Sequence, residues 1–155
     1  MIQTDAEFSS KVLLAWDRKL AFSELLSTAT QLEAEGKAPL SAVLYRTWLE
    51  RNETSHDQYI YFNLGVVLFN LNDLKGAKEA YTKAIELEEK FVQPHFNLGL
   101  VHERLNQKEA AINEFQWIVK NVSEYNKEFR PILLSALNNL GRILEDMRLL
   151  DAALQ

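Results

Sequence analysis

The sequence predicts an all-α protein built from stacked antiparallel helix pairs, and three observations carry that prediction. One pattern is written twice across residues 61–118: Leu64 to Leu98, Gly65 to Gly99, Ala77 to Ala111 and Tyr81 to Phe115 are each 34 residues apart. A fixed period of that length, with aromatic-x-x-Leu-Gly followed by Ala-x-x-x-aromatic, is the mark of a helix-turn-helix repeat. Among 155 residues there are only 3 prolines and 5 glycines, which favours helix over a turn-rich all-β chain. Between the breaks, apolar residues recur at helical spacing rather than alternating.

The first segment, residues 1–21, reads as an N-terminal helical cap. Phe8, Val12, Trp16 and Leu20 share one helical face, with Leu13 beside them. Thr4 followed by Glu7 has the spacing of a capping box that would start a helix there. Residues 4–35 contain neither proline nor glycine, so the pattern allows one long helix or two broken near residues 19–23. Gly36 is placed to end it as a left-handed C-cap.

Residues 22–52 read as a degenerate copy of the repeat. Ser41, Tyr45 and Trp48 have the spacing of Ala77, Tyr81 and Ala84, and stand 36 residues ahead of them. Leu25, Thr28, Ala29 and Leu32 then take the places of aromatic, Leu, Gly and large residue, without the Leu-Gly pair. An unrelated hairpin acting as a terminal cap is the alternative. Residues 51–57 are polar and form the junction.

The first full copy, 58–91, is expected as a helix from Asp57 to Asn70, a turn at 71–73 and a helix over 74–88. The second, 92–125, is expected as helices over 91–105 and 107–121. Pro94 falls in a first turn, where its missing N–H does no harm. A third copy reads Leu137, Leu140, Gly141, Leu144 and Ala153. Gly99 and Gly141 are 42 residues apart, so eight extra residues intervene; residues 126–133 are assigned to an insertion and 134–155 to a truncated repeat. Its second helix would begin before Ala153, leaving Leu149, Leu150 and Leu154 short of packing partners, as in a piece cut from a longer repeat protein.

The Leu-Gly and Ala-x-x-x-aromatic signatures at Leu64-Gly65, Leu98-Gly99, Ala77…Tyr81 and Ala111…Phe115 resemble the tetratricopeptide repeat family. That resemblance implies a right-handed superhelical solenoid whose first helices line a concave groove for an extended peptide or a helix. The groove residues it implies are Tyr59, Phe62, Asn63, Val66 and Phe69, then Phe96, Asn97, Leu100 and Arg104, then Asn138, Asn139 and Arg142. An asparagine precedes each Leu-Gly (Asn63, Asn97, Asn139), and an amide both donates and accepts, so a ladder of them suits a peptide backbone. The alternative is that these amides bond to a neighbouring helix. Phe62, Val66, Phe69, Phe96 and Leu100 form an apolar patch, which marks a partner site unless the N-terminal helix folds over it.

Family members that clamp the C-terminal carboxylate of heat-shock chaperones place a lysine and an asparagine where this chain has Phe62 and Val66, which argues against that ligand. The run from Leu137 to Leu144 also resembles the repeat arms of bacterial proteins similar to O-linked N-acetylglucosamine transferases. In that alternative the chain recruits substrates for a catalytic region it does not contain.

The remaining chemistry is sparse. A net charge of -5 disfavours nucleic acid, and no apolar run reaches the roughly 18–20 residues of a membrane helix. The absence of cysteine removes disulfides and thiolate sites and fits a cytoplasmic location. His95 and His102 lie seven residues apart, on one face but roughly 10 Å apart along the axis, which suits packing better than a metal. No phosphate loop, nucleophile elbow or zinc motif occurs. The expectation is a protein-binding module, not an enzyme, without cofactors. Self-association through the N-terminal helix or the open C-terminal end is a further partner class.

Overall fold

The structure, a computed structural model, describes residues 2–51 and 56–153, with side chains over 6–51 and 56–148. Among these residues there are eight α-helices and no strand, as the fold class requires: α1 Ile2–Trp16, α2 Phe22–Ala34, α3 Ala38–Arg51, α4 Asp57–Asn70, α5 Leu74–Leu87, α6 Val92–Arg104, α7 Lys108–Asn121 and α8 Arg130–Ala153. They fall into two compact units, residues 1–87 and 88–155.

Four helices end in the same way, and this makes the hairpins. Just past α1, α2, α4 and α6 stand Arg18, Gly36, Asn72 and Asn106, with φ of 61°, 73°, 62° and 56°. After each, a backbone N–H turns back to a carbonyl in the last turn: Lys19 to Leu14 at 2.8 Å, Lys37 to Leu32 at 2.7 Å, Asp73 to Leu68 at 2.8 Å and Gln107 to His102 at 2.8 Å. This is the Schellman closure, which satisfies orphan carbonyls and reverses the chain. Gly36 acts as the sequence predicts. Asn72 and Asn106 do so because asparagine tolerates the left-handed region better than most residues. Arg18 has no such licence, and its position costs about 1–2 kcal/mol.

Residues 17–21 therefore separate two helices rather than lying within one. Helix α1 starts at Ile2, so Thr4 lies inside its first turn and the Thr4–Glu7 pair does not begin it; the Thr4 side chain is outside the described residues. The buried face also differs from expectation. Ala15 and Leu20 are buried, whereas Leu13 is 64% and Trp16 48% exposed. Helix α1 rests on α3 instead of on α4. There Arg51 stacks its guanidinium 4.3 Å from the Trp16 ring and donates Nε–H to the Trp16 carbonyl at 3.2 Å. Lys11 ties α1 to α2 through Glu24.

In the α2–α3 pair Leu25, Ala29 and Leu32 pack with Ser41, Tyr45 and Trp48, all buried. Ser41 stands where later pairs have alanine and donates its hydroxyl to Glu33 Oε1 at 2.9 Å. Burial, aided by the Glu33 carboxylate, raises the Tyr45 hydroxyl pKa.

The α4–α5 pair closes on Ile60, Leu64, Val67 and Leu68 against Ala77, Ala80, Tyr81 and Ala84. Asp73 caps α5 by accepting the Gly76 N–H at 2.9 Å. A Cβ on Gly65 would lie 2.5 Å from Tyr81 Cε1, so the ring occupies the space a side chain would take. Within the second unit the same contact recurs: a Cβ on Gly99 would lie 2.6 Å from Phe115 Cε1. Leu98 and Val101 of α6 are buried, as are Ala111, Phe115 and Ile118 of α7.

The eight extra residues form the connection 122–129, anchored by buried Val122. Asn126 Oδ1 accepts the N–H groups of Glu128 at 3.0 Å and Phe129 at 3.2 Å, organising the entry to α8. Leu133, Ala136 and Ile143 of α8 then join Phe115 and Ile118 in one core. The third copy does not turn before Ala153 as expected; α8 continues through it. Where Asn72 and Asn106 reverse the chain, the matching position is Arg148, inside a stretch of helix formers. The side chains of Leu149, Leu150, Ala153 and Leu154 lie outside the described residues, as does the polar junction 52–55.

Candidate peptide-binding helix faces

On α4, Tyr59 is exposed and Phe62, Asn63, Val66 and Phe69 are half-buried along one side of the helix. They come together because the opposite side, Ile60, Leu64, Val67 and Leu68, is spent on the hairpin core. Phe62 is not a free patch residue. Its ring leans on Tyr81 with centroids 6.0 Å apart at 44°, so one face belongs to the core and an edge meets solvent.

The second unit repeats this on α6. Phe96, Asn97 and Leu100 are half-buried and Arg104 is exposed. Phe96 leans on Phe115 at 5.8 Å and 53°, as Phe62 does on Tyr81. Both Phe96 and Leu100 border the core that α8 completes. The sequence-defined apolar patch is thus half structural: its rings support the pairs and present only part of their surface.

Helix α8 brings Arg142 to α6, where it pairs with Glu103; Asp146 stands 3.9 Å from its other terminal nitrogen. Asn139 is half-buried and Asn138 exposed. In this unit the structure gathers Asn97, Asn139 and the Arg142–Glu103 pair on neighbouring helices. The pair is exposed on the arginine side and worth at most about 1 kcal/mol.

Sequence spacing placed His95 and His102 in packing roles without showing what they hold. His95 is buried, with Nδ1 2.7 Å from Glu114 Oε2 and Nε2 3.1 Å from the Glu89 carbonyl. Trp117 stacks on it at 3.6 Å and 14°. His102 Nδ1 lies 2.7 Å from Gln107 Oε1, bridging the turn its own carbonyl helps to close. The His95–Glu114–Trp117 cluster was missed because its parts lie 19 and 22 residues apart in sequence. Among the described residues no group of three or more His, Cys, Asp or Glu side chains could hold a metal ion. None of their helices is long and apolar enough to cross a membrane.

Known proteins share this arrangement of helices. Residues 59–91 and 92–116 each match the tetratricopeptide repeat, and this part of the chain is a pair of such repeats. The TPR repeat-containing protein MJ1428 of Methanocaldococcus jannaschii is 33% identical over 78 residues, which is 50% of this chain and 13% of that protein. Among solved structures, MamA protein is similar with a TM-score of 0.69 and 18% identity, covering 98% of this chain and 80% of MamA. The first TPR of Spaghetti (RPAP3), bound to the HSP90 peptide SRMEEVD, is similar with a TM-score of 0.64 and 16% identity, covering 90% and 95%. At these identities the structural likenesses speak to the fold. They do not bear out the narrower resemblance to transferase arms.

Proposed function

We propose that this chain is a protein-interaction module that holds an extended peptide or a helix on the first helices of its repeats, and that it performs no catalysis itself. The observation that carries this is a recurring position: Asn63, Asn97 and Asn139 each precede a Leu-Gly pair, and each is half-buried beside side chains already committed to the core. A half-buried amide presents donors and acceptors from a fixed position, so a peptide backbone bonds to it with little ordering of the protein. Phe62, Val66 and Phe69 on α4, and Phe96 and Leu100 on α6, offer apolar edges beside those amides. A similar fold holds a peptide in Spaghetti (RPAP3), which supports a peptide as the ligand class.

The ligand differs in kind from SRMEEVD. With Phe62 and Val66 where the carboxylate clamp has lysine and asparagine, the α4 face offers apolar contact in place of charge. An internal segment with spaced apolar side chains suits it better than a free C-terminus. Screening a peptide array with the chain and with Asn63→Ala/Asn97→Ala/Asn139→Ala tests this. Peptides bound by the first and weakened about tenfold or more by the triple change are expected, since each lost amide contact is worth about 0.5–1.5 kcal/mol. Untouched binding would make the ladder structural.

A further inference from the structure

A second surface lies on another side of α4. Tyr61, Leu64 and Leu68 point roughly 80–160° around the helix from Phe62, Val66 and Phe69. With Ala80 of α5 they floor a cleft of about 690 Å³ in the first unit. Arg46, Lys75, Lys78 and Lys83 line it with positive charge, and Glu79 is the acidic residue of the lining. Cations gathered over an apolar floor stand out in a chain whose net charge is -5.

The repeat itself shows what such a slot contains when it is filled. Tyr61, Ala80 and Lys83 lie 34 residues before His95, Glu114 and Trp117. In the second unit those three side chains form a packed cluster, the indole stacked on the imidazole and the carboxylate bonded to it. In the first unit the indole is replaced by a lysine whose ammonium turns to Glu86 at 2.6 Å, and the carboxylate by a methyl group. The floor persists, with Leu64 and Leu68 in place of Leu98 and His102, but the filling is missing. Arg46 pairs with Asp73 at 3.7 Å at the rim, and both side chains are about half-exposed.

We infer that this cleft is a binding site for a partner segment that carries one aromatic side chain flanked by carboxylates. The aromatic ring takes the place of Trp117, lying against Tyr61 over Leu64, Leu68 and Ala80. The flanking carboxylates meet Lys75, Lys78 and Arg46. The apolar floor supplies affinity by burial, and the rim supplies orientation and a salt-dependent attraction. The site is separate from the asparagine-bearing faces and does not rest on them.

The test uses a dye-labelled synthetic peptide with one tryptophan flanked by glutamates, followed by fluorescence anisotropy on the whole chain. Saturable binding is expected, weakening with added salt. It should fall about tenfold or more when the peptide tryptophan becomes alanine, or in Lys75→Glu/Lys83→Glu, where both changes lie on exposed positions that leave the core intact. Tyr61→His/Ala80→Glu/Lys83→Trp installs the filling of the second repeat and should abolish binding while helical circular dichroism is retained. Absence of saturable binding to the unmodified chain, or equal binding to the charge-reversed variant, overturns the assignment. So does a loss of binding confined to Asn63→Ala/Asn97→Ala/Asn139→Ala, which would place the peptide on the other face.

Discussion

Gly65 and Gly141 hold the same place in the repeated pattern, yet their surroundings are opposite. Against Gly65 lies the Tyr81 ring of the paired helix, and a Cβ there would have no room; a Cβ on Gly141 would meet nothing within 4 Å among the described residues. Gly99 sides with Gly65, through Phe115. The flanking residues follow suit. Leu64 and Leu98 are buried, whereas their counterpart Leu140 is only partly buried against the core, and its neighbours Leu137 and Leu144 on α8 remain exposed. The same glycine is therefore a packing requirement in two helices and not in the third. A mid-helix glycine costs roughly 1 kcal/mol against alanine in every case, and only a second helix offsets that cost by closing onto it.

The largest difference is expected at the leucines. Leu98→Ala should lower stability by about 2–5 kcal/mol in urea melts, because the side chain is buried between α6 and α7 and leaves a cavity. The same melt on Leu137→Ala should stay within about 0.5 kcal/mol of the parent, since that position is solvent-facing. A leucine pair of equal cost would erase the distinction.

The glycines should differ by less, and in sign. Gly65→Ala and Gly99→Ala should each destabilise by about 1–3 kcal/mol, the overpacking of a ring fixed in the core outweighing the gain in helix propensity. Gly141→Ala should do the reverse and stabilise by about 0.5–1 kcal/mol in thermal or urea unfolding, because propensity acts there unopposed. Loss of stability in Gly141→Ala would mean that a further helix covers α8 in solution.

Much of this was legible in the residues. The 34-residue spacing located α4 to α7 within a residue or so, since both the helical period and the turn at Leu71-Asn72-Asp73 are local properties. The recurrence of an asparagine before each Leu-Gly was legible too, because it is a property of the sequence alone. Other features were not. Trp16 looked like core by its spacing from Phe8, Val12 and Leu20, but Arg51, 35 residues away, made it a stacking platform. Phe62 and Phe96 read as a free patch because no single-helix pattern shows Tyr81 and Phe115 beneath them. The left-handed Asn72 and Asn106 carried a signal that could have been used, an asparagine just past each apolar run, beside the more obvious Gly36.

Composition and period by themselves determined that this chain is helical, paired and repetitive, since helix propensity and the burial of one apolar stripe per helix act through neighbours three or four residues apart. Only the tertiary structure decided which equivalent positions are equivalent in fact. Whether a glycine is pressed by a ring, or a slot is filled by Trp117 or left open above Tyr61, depends on side chains brought together from separate helices. No local rule of spacing contains that information.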